Sequence, residues 1–110
     1  MSKEISKELE TITSYLSKIE KDKVIEALRL SQEAHSNQLR KSGDPFITHP
    51  IEVAKILTSI KLDASAIAAG LLHDIIEDTD ISINEISNTF GNQISELVQG
   101  LTKISKFSLK

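Results

Sequence analysis

Apolar residues recur at helical spacing along nearly the whole chain, and no segment shows the strict alternation of a half-buried strand. Ile5, Leu9, Ile12, Leu16 and Ile19 follow a 4-3-4-3 spacing. This predicts an amphipathic helix over 4–19 with Glu and Lys on its outer face. Asp22 is the expected N-cap of a second helix of about 15 residues, with Val24, Leu28 and Ser31 on one line, Ala27, Leu30 and Ala34 beside it, and an end near Asn37. Gly43, Asp44 and Pro45 mark a turn in the main loop. Pro50 suits the first position of a third helix, which makes His49 its N-cap and puts Ile51, Val53, Ala54, Ile56, Leu57 and Ile60 on its apolar side. Residues 64–79 are apolar almost all round until His73 and then acidic. A helix apolar on every face belongs in the middle of a helical domain, and Asp63 is placed to cap it. Ser82 and Glu85 form a capping box for a short helix with Ile83, Ile86 and Phe90 inward and Gly91 as its stop. A last helix takes Ile94, Leu97, Val98 and Leu101 to the core, with Gly100 a weak point. The expected fold is all-α, a bundle of about six helices, without internal repeats or low-complexity segments.

Composition narrows the choice. The 110 residues, 39% of them hydrophobic, suffice for one core and leave little room for a second. No cysteine is present, so disulfides, thiolate ligands and cysteine nucleophiles are excluded and any metal must be held by His, Asp or Glu. Net charge is -3 with both signs interspersed, which gives no global field for DNA or an anionic membrane. The N-terminus lacks an apolar signal region, and no window approaches the roughly 20 apolar residues of a membrane span. The expected location is cytoplasmic.

The acidic end of the central helix is the chemical anomaly. A helix C-terminus carries partial negative charge, so Asp74, Glu77 and Asp78 stand where Lys or Arg is expected and something positive should compensate. A divalent metal would do so, with His49, His73 and Asp74 as candidate ligands. Two imidazoles with a carboxylate suit Mn, Fe, Zn or Co better than Mg. Without a metal, the same residues are an N-cap, a core histidine and a solvated helix end. Glu77 lies four residues after His73 and Asp78 four after Asp74, one turn further along the same face. There a carboxylate can orient a water or take its proton. Arg40 and Lys41 are the chain's one adjacent basic pair. With Ser42 and Gly43 they can hold a phosphate, although a solvated turn has the same composition. His35 is expected to pack or hydrogen-bond rather than ligate.

The run Arg40-Lys41-Ser42-Gly43-Asp44-Pro45-Phe46-Ile47, His49-Pro50, Leu71-Leu72-His73-Asp74, Glu77-Asp78-Thr79, Phe90-Gly91 and Gly100-Leu101-Thr102-Lys103 resembles the N-terminal hydrolase part of the RelA/SpoT-homologue family, over about residues 20–106. The resemblance implies an HD-type domain that removes the 3'-pyrophosphate of the alarmones ppGpp and pppGpp, usually with Mn. It makes His49, His73 and Asp74 metal ligands, Glu77 and Asp78 the catalytic acidic pair, and Arg40, Lys41 and Ser42 contacts to the guanosine polyphosphate. It also implies a division into an N-terminal helix, 1–20, and a partial HD domain, 21–110. The family's fourth ligand, an Asp beyond the Gly-x-Thr-Lys segment, has no counterpart here, so a C-terminally truncated bundle is expected. Asn37 and Gln99 stand where the family often has Gly and Asp. Phe107, Leu109 and the last helix would leave an apolar surface open to self-association or to a complementing chain. A catalytically impaired module that binds a nucleotide or partner is the alternative, and an HD enzyme acting on another nucleotide is a third reading.

Overall fold

The computed structural model describes residues 3–34 and 48–108, with side chains over 6–34 and 50–103. They form α1 (Lys3–Ile12), α2 (Lys18–Ala34), α3 (Thr48–Ser59), α4 (Ala64–Asp78), α5 (Ile83–Phe90) and α6 (Asn92–Ser108), with no strand among the described residues. The fold is the expected all-α bundle. No described helix is long and apolar enough to cross a membrane.

α4 is the axis. Asp63 keeps an extended backbone and its carboxylate accepts the Ala66 N–H at 2.8 Å, so one of the orphan donors of the first turn is satisfied. Ala64, Ile67, Ala68, Ala69, Leu71, Leu72 and Ile75 are buried on successive faces. α2 and α6 make its most extensive contacts and α3 the next. The alanines and glycine of its first two turns let these neighbours approach closely, which is how a helix of ordinary length can be covered on several sides. α2 contributes Val24, Ala27, Leu28 and Ser31, all buried as expected, with Leu30 and Ala34 partly so. Its expected continuation to Asn37 lies outside the described residues.

The first apolar stripe is not one helix over 4–19. α1 ends at Ile12, the buried Thr13 hydroxyl donates back to the Leu9 carbonyl, and the chain turns before the Leu16 N–H donates to the Thr13 carbonyl at 2.9 Å. The turn lets both Leu9 and Leu16 reach the core, while Ile19 is left 75% exposed. α2 is capped by Ser17 rather than by Asp22. The Glu20 N–H donates to Ser17 Oγ at 3.3 Å and the Ser17 N–H donates to Glu20 Oε1 at 3.1 Å, a reciprocal capping box that satisfies two donors where Asp22 could satisfy one. Asp22 instead lies inside α2, 3.7 Å from Lys18 Nζ.

α3 begins at Thr48, so His49 is its second residue and not its N-cap. Pro50 is tolerated because first-turn N–H groups have no intrahelical acceptor. Ile51 and Ala54 are buried and Leu57 packs against the core, but Ile56 and Ile60 point away, 64% and 63% exposed. α3 is covered essentially on its α4 side, so only a stripe of it is inward. Thr58 takes a buried place instead, with its hydroxyl donating to the Ala54 carbonyl at 2.8 Å.

The link to α4 is a Schellman turn. The Lys61 N–H donates to Thr58 O at 3.0 Å and the Leu62 N–H to Leu57 O at 3.3 Å, with Lys61 at φ +58. Tyr15 braces this corner, donating from its hydroxyl to Leu62 O at 2.6 Å beneath the Lys61 ammonium, which lies 4.9 Å from the ring centre. Downstream, Ser82 caps α5, Ile86 is buried, and Gly91 at φ +94 ends the helix as expected. α6 sends Ile94 and Val98 into the core and continues through Gly100, but Leu97 and Leu101 stay 41% and 37% exposed rather than inward.

Candidate metal centre

The last two turns of α4 carry the chemistry. His73 Nδ1 lies 2.6 Å from the carbonyl of Gly70, one turn back. A carbonyl only accepts, so Nδ1 carries a proton, and Nε2 is the nitrogen left to offer a lone pair when the ring is neutral. Nε2 is 3.1 Å from Asp74 Oδ1. Two lone-pair donors at that distance repel unless a cation joins them, either a proton on Nε2 or a metal ion. The backbone-anchored Nδ1–H is the arrangement that orients a ligating imidazole, and nitrogen with carboxylate oxygen is a donor set for Mn, Fe, Co or Zn. Both side chains are about a quarter exposed, 24% each, so the pair can be reached from solvent.

Glu77 and Asp78 occupy the final turn and are exposed. By helix geometry they stand about 6 Å further along the axis than His73 and Asp74. No basic residue lies in that turn. The Thr79 hydroxyl donates to Ile75 O at 2.7 Å, which closes the helix without supplying charge. The negative end of the helix dipole adds to the acidic character of this end of α4.

The remaining predicted residues are placed less fully. His49 is in the first turn of α3, the helix packed on α4, but its side chain lies outside the described residues, as do Arg40, Lys41 and Ser42. Among the described residues no group of three or more His, Asp or Glu side chains assembles. The pair that the structure brings together is His73 with Asp74.

Two features escaped the sequence reading. Gly70 supplies the acceptor that fixes the His73 tautomer, and a Cβ there would stand 2.7 Å from Leu57 Cδ1. Its only sequence signal was its position three residues before a histidine. The second is an open groove of about 320 Å³ between α3, α4 and α6, floored by Ala66, Ala69 and Gly70 and reaching His73. Its lining offers hardly any hydrogen-bonding group, so it does not suit a guanine base.

An all-α bundle whose buried central helix ends in a His-Asp pair defines a class, and comparison with known proteins gives the family. A model described as "HD domain" matches residues 27–109. A chloroplastic protein of Oryza sativa subsp. japonica named "Putative GTP diphosphokinase RSH1" is 50% identical over 100 residues, 90% of this chain and 11% of its own length. A GTP pyrophosphokinase of Myxococcus xanthus is 46% identical over 98 residues, 89% of this chain and 13% of its own length. The bifunctional (p)ppGpp synthase/hydrolase SpoT of Escherichia coli K12 is 39% identical over 99 residues, 90% of this chain and 14% of its own length. The chain belongs to the HD-domain family, in its RelA/SpoT branch. It spans between a tenth and a seventh of the length of these relatives.

Proposed function

We propose that this chain is the HD-type hydrolase module of alarmone metabolism, acting on (p)ppGpp with a divalent metal, Mn being the first candidate. The observation that carries the reading is the His73 Nε2 to Asp74 Oδ1 pair at 3.1 Å, with Nδ1 held by Gly70. It is supported by relatives whose names include (p)ppGpp synthase/hydrolase, although other relatives are named only for pyrophosphate transfer to GTP. His49, on the helix packed against α4, would complete the ligand set. When bound, the metal supplies Lewis-acid stabilisation of phosphate oxygens and acidifies a coordinated water.

The chain's own groups then have separable tasks. Glu77 and Asp78 accept the proton of the attacking water. Arg40 and Lys41 hold the phosphates, and the Ser42 region adds hydrogen-bond donors. Water adds to the phosphorus attached to the ribose 3'-oxygen, the P–O3' bond breaks, pyrophosphate leaves, and the 3'-oxygen takes up the proton. The partner is thus a guanosine polyphosphate, with no role for DNA or a membrane. The absence of cysteine suits a reducing compartment, and the cytoplasm is the location proposed.

The deciding experiment is pyrophosphate release from ppGpp with Mn by the wild-type chain and by His73→Ala and Glu77→Gln. Release by wild type alone is expected. If wild type binds ppGpp but releases nothing, the chain is a binding module, and if it neither binds nor hydrolyses, the assignment fails.

A further inference from the structure

Glu77 and Asp78, to which the proposed function gives the proton of the attacking water, stand on a turn that is unfavourable by composition. The last carbonyls of a helix have no intrahelical donors, this turn contains no basic residue, and carboxylates beside those carbonyls repel the negative end of the dipole. Yet the turn is closed by one side chain with ties on both sides of it. The Thr79 hydroxyl donates to Ile75 O at 2.7 Å, and the Thr79 N–H donates to the same carbonyl at 3.0 Å. The hydroxyl oxygen in turn accepts the Ile81 N–H at 3.2 Å. Ile75 is fully buried, and Ile81 packs against the core beyond the turn. One hydroxyl therefore joins a buried anchor before the acidic pair to a core-packed residue after it.

We propose that Thr79 is a positioning residue, whose hydroxyl holds the last turn of α4 closed so that Glu77 and Asp78 keep their place relative to His73 and Asp74. The proposal rests on the hydrolase reading and gives the site two levels with separate anchors. His73 is oriented from within the helix by Gly70 O, one turn before the acidic pair, and needs nothing from Thr79. Glu77 and Asp78 are exposed, and the order of their backbone comes from the clasp. The form of the helix end agrees with this. α5 is stopped by Gly91 at φ +94, whereas α4 is left through an extended Thr79, φ -135 and ψ 175, so a side chain takes up the carbonyl and the amide on either side of the stop.

The test compares Thr79→Val and Thr79→Ser with the wild type. Valine keeps the shape and the backbone bond to Ile75 O but removes the hydroxyl, and serine restores it. In Thr79→Val the amides of Glu77, Asp78 and Ile81 should exchange with deuterium about fivefold faster or more, the factor that one hydrogen bond of average strength corresponds to. Turnover of ppGpp should fall roughly 10–100-fold in kcat, as for a slightly misplaced proton acceptor, with Mn affinity unchanged, and Thr79→Ser should recover most of both losses. Asp63→Ala, which removes a cap at the opposite end of the same helix, should leave kcat near that of the wild type and so separates positioning from loss of stability. A Thr79→Val chain that exchanges or turns over like the wild type overturns the proposal. A fall in Mn affinity that matches the fall in turnover does so too, because Thr79 then supports the whole helix end. If the wild type releases no pyrophosphate while the exchange difference is present, the hydrolase reading has failed and the clasp has not.

Discussion

His73 is held by a backbone bond that no neighbouring side chain can replace. Because Gly70 O fixes Nδ1–H, His73→Ala removes both the proposed ligand and the imidazole that faces Asp74. Mn binding should fall by at least about tenfold with Asp74→Asn and be lost with His73→Ala, measured by calorimetric titration. Tyr15 offers a second test at this scale. Burial, above all, with the charges of Asp63 and Glu20 adding, raises its phenol above the ordinary value of 10.0. A raised folded-state value means that the neutral phenol stabilises the fold fully below the unfolded-state pKa and that this contribution fades as pH rises through the folded-state pKa. Chemical denaturation of the wild type should therefore show stability declining above about pH 10. Tyr15→Phe should be about 1 kcal/mol less stable at neutral pH, from the lost bond to Leu62 O, and lack that part of the alkaline decline.

At the scale of the element, α4 sets stability and its caps set its limits. Leu72→Ala, at a fully buried position, should cost about 2–5 kcal/mol in urea denaturation, and Asp63→Ala about 1 kcal/mol through the lost cap. Lys61 tests the α3–α4 corner. At φ +58, Lys61→Val should cost about 1–2 kcal/mol, whereas in Lys61→Gly relief of strain and loss of the contact with Tyr15 largely offset each other.

The sequence pattern anticipated six helices, with the first drawn too long and the second begun too late, and it placed α4 at the centre, because a segment apolar on all faces has one location. It failed where the stripe was real but its partner was not given. Ile56, Ile60, Leu97 and Leu101 look inward in sequence, yet only the packing of α3 and α6 on α4 decides which of their faces is covered. It failed again at Ser17, where Ser-Lys-Ile-Glu spelled a capping box that the continuing 4-3-4-3 spacing concealed. Of the site, the His-Asp pair was legible because an acidic helix end contradicts the dipole. The tautomer lock at Gly70 was not, since a carbonyl leaves no mark in sequence.

For the molecule as a whole, a metal that binds only the folded chain adds to its stability by mass action. At a hundredfold excess over its dissociation constant the gain is about 2.7 kcal/mol, seen as a higher melting temperature with Mn and absent in His73→Ala. The placement of the site on α4 also bears on which parts of the protein can open without losing it. Local openings begin at frayed ends and thinly packed segments and reach the central element only with global unfolding. The amides of Leu72 and His73 should thus be among the slowest to exchange with deuterium, and the proposed ligand pair should outlast any partial opening of α1 or of the end of α6. The proposed function and cooperative folding are carried by one rod, so selection for either would preserve the other.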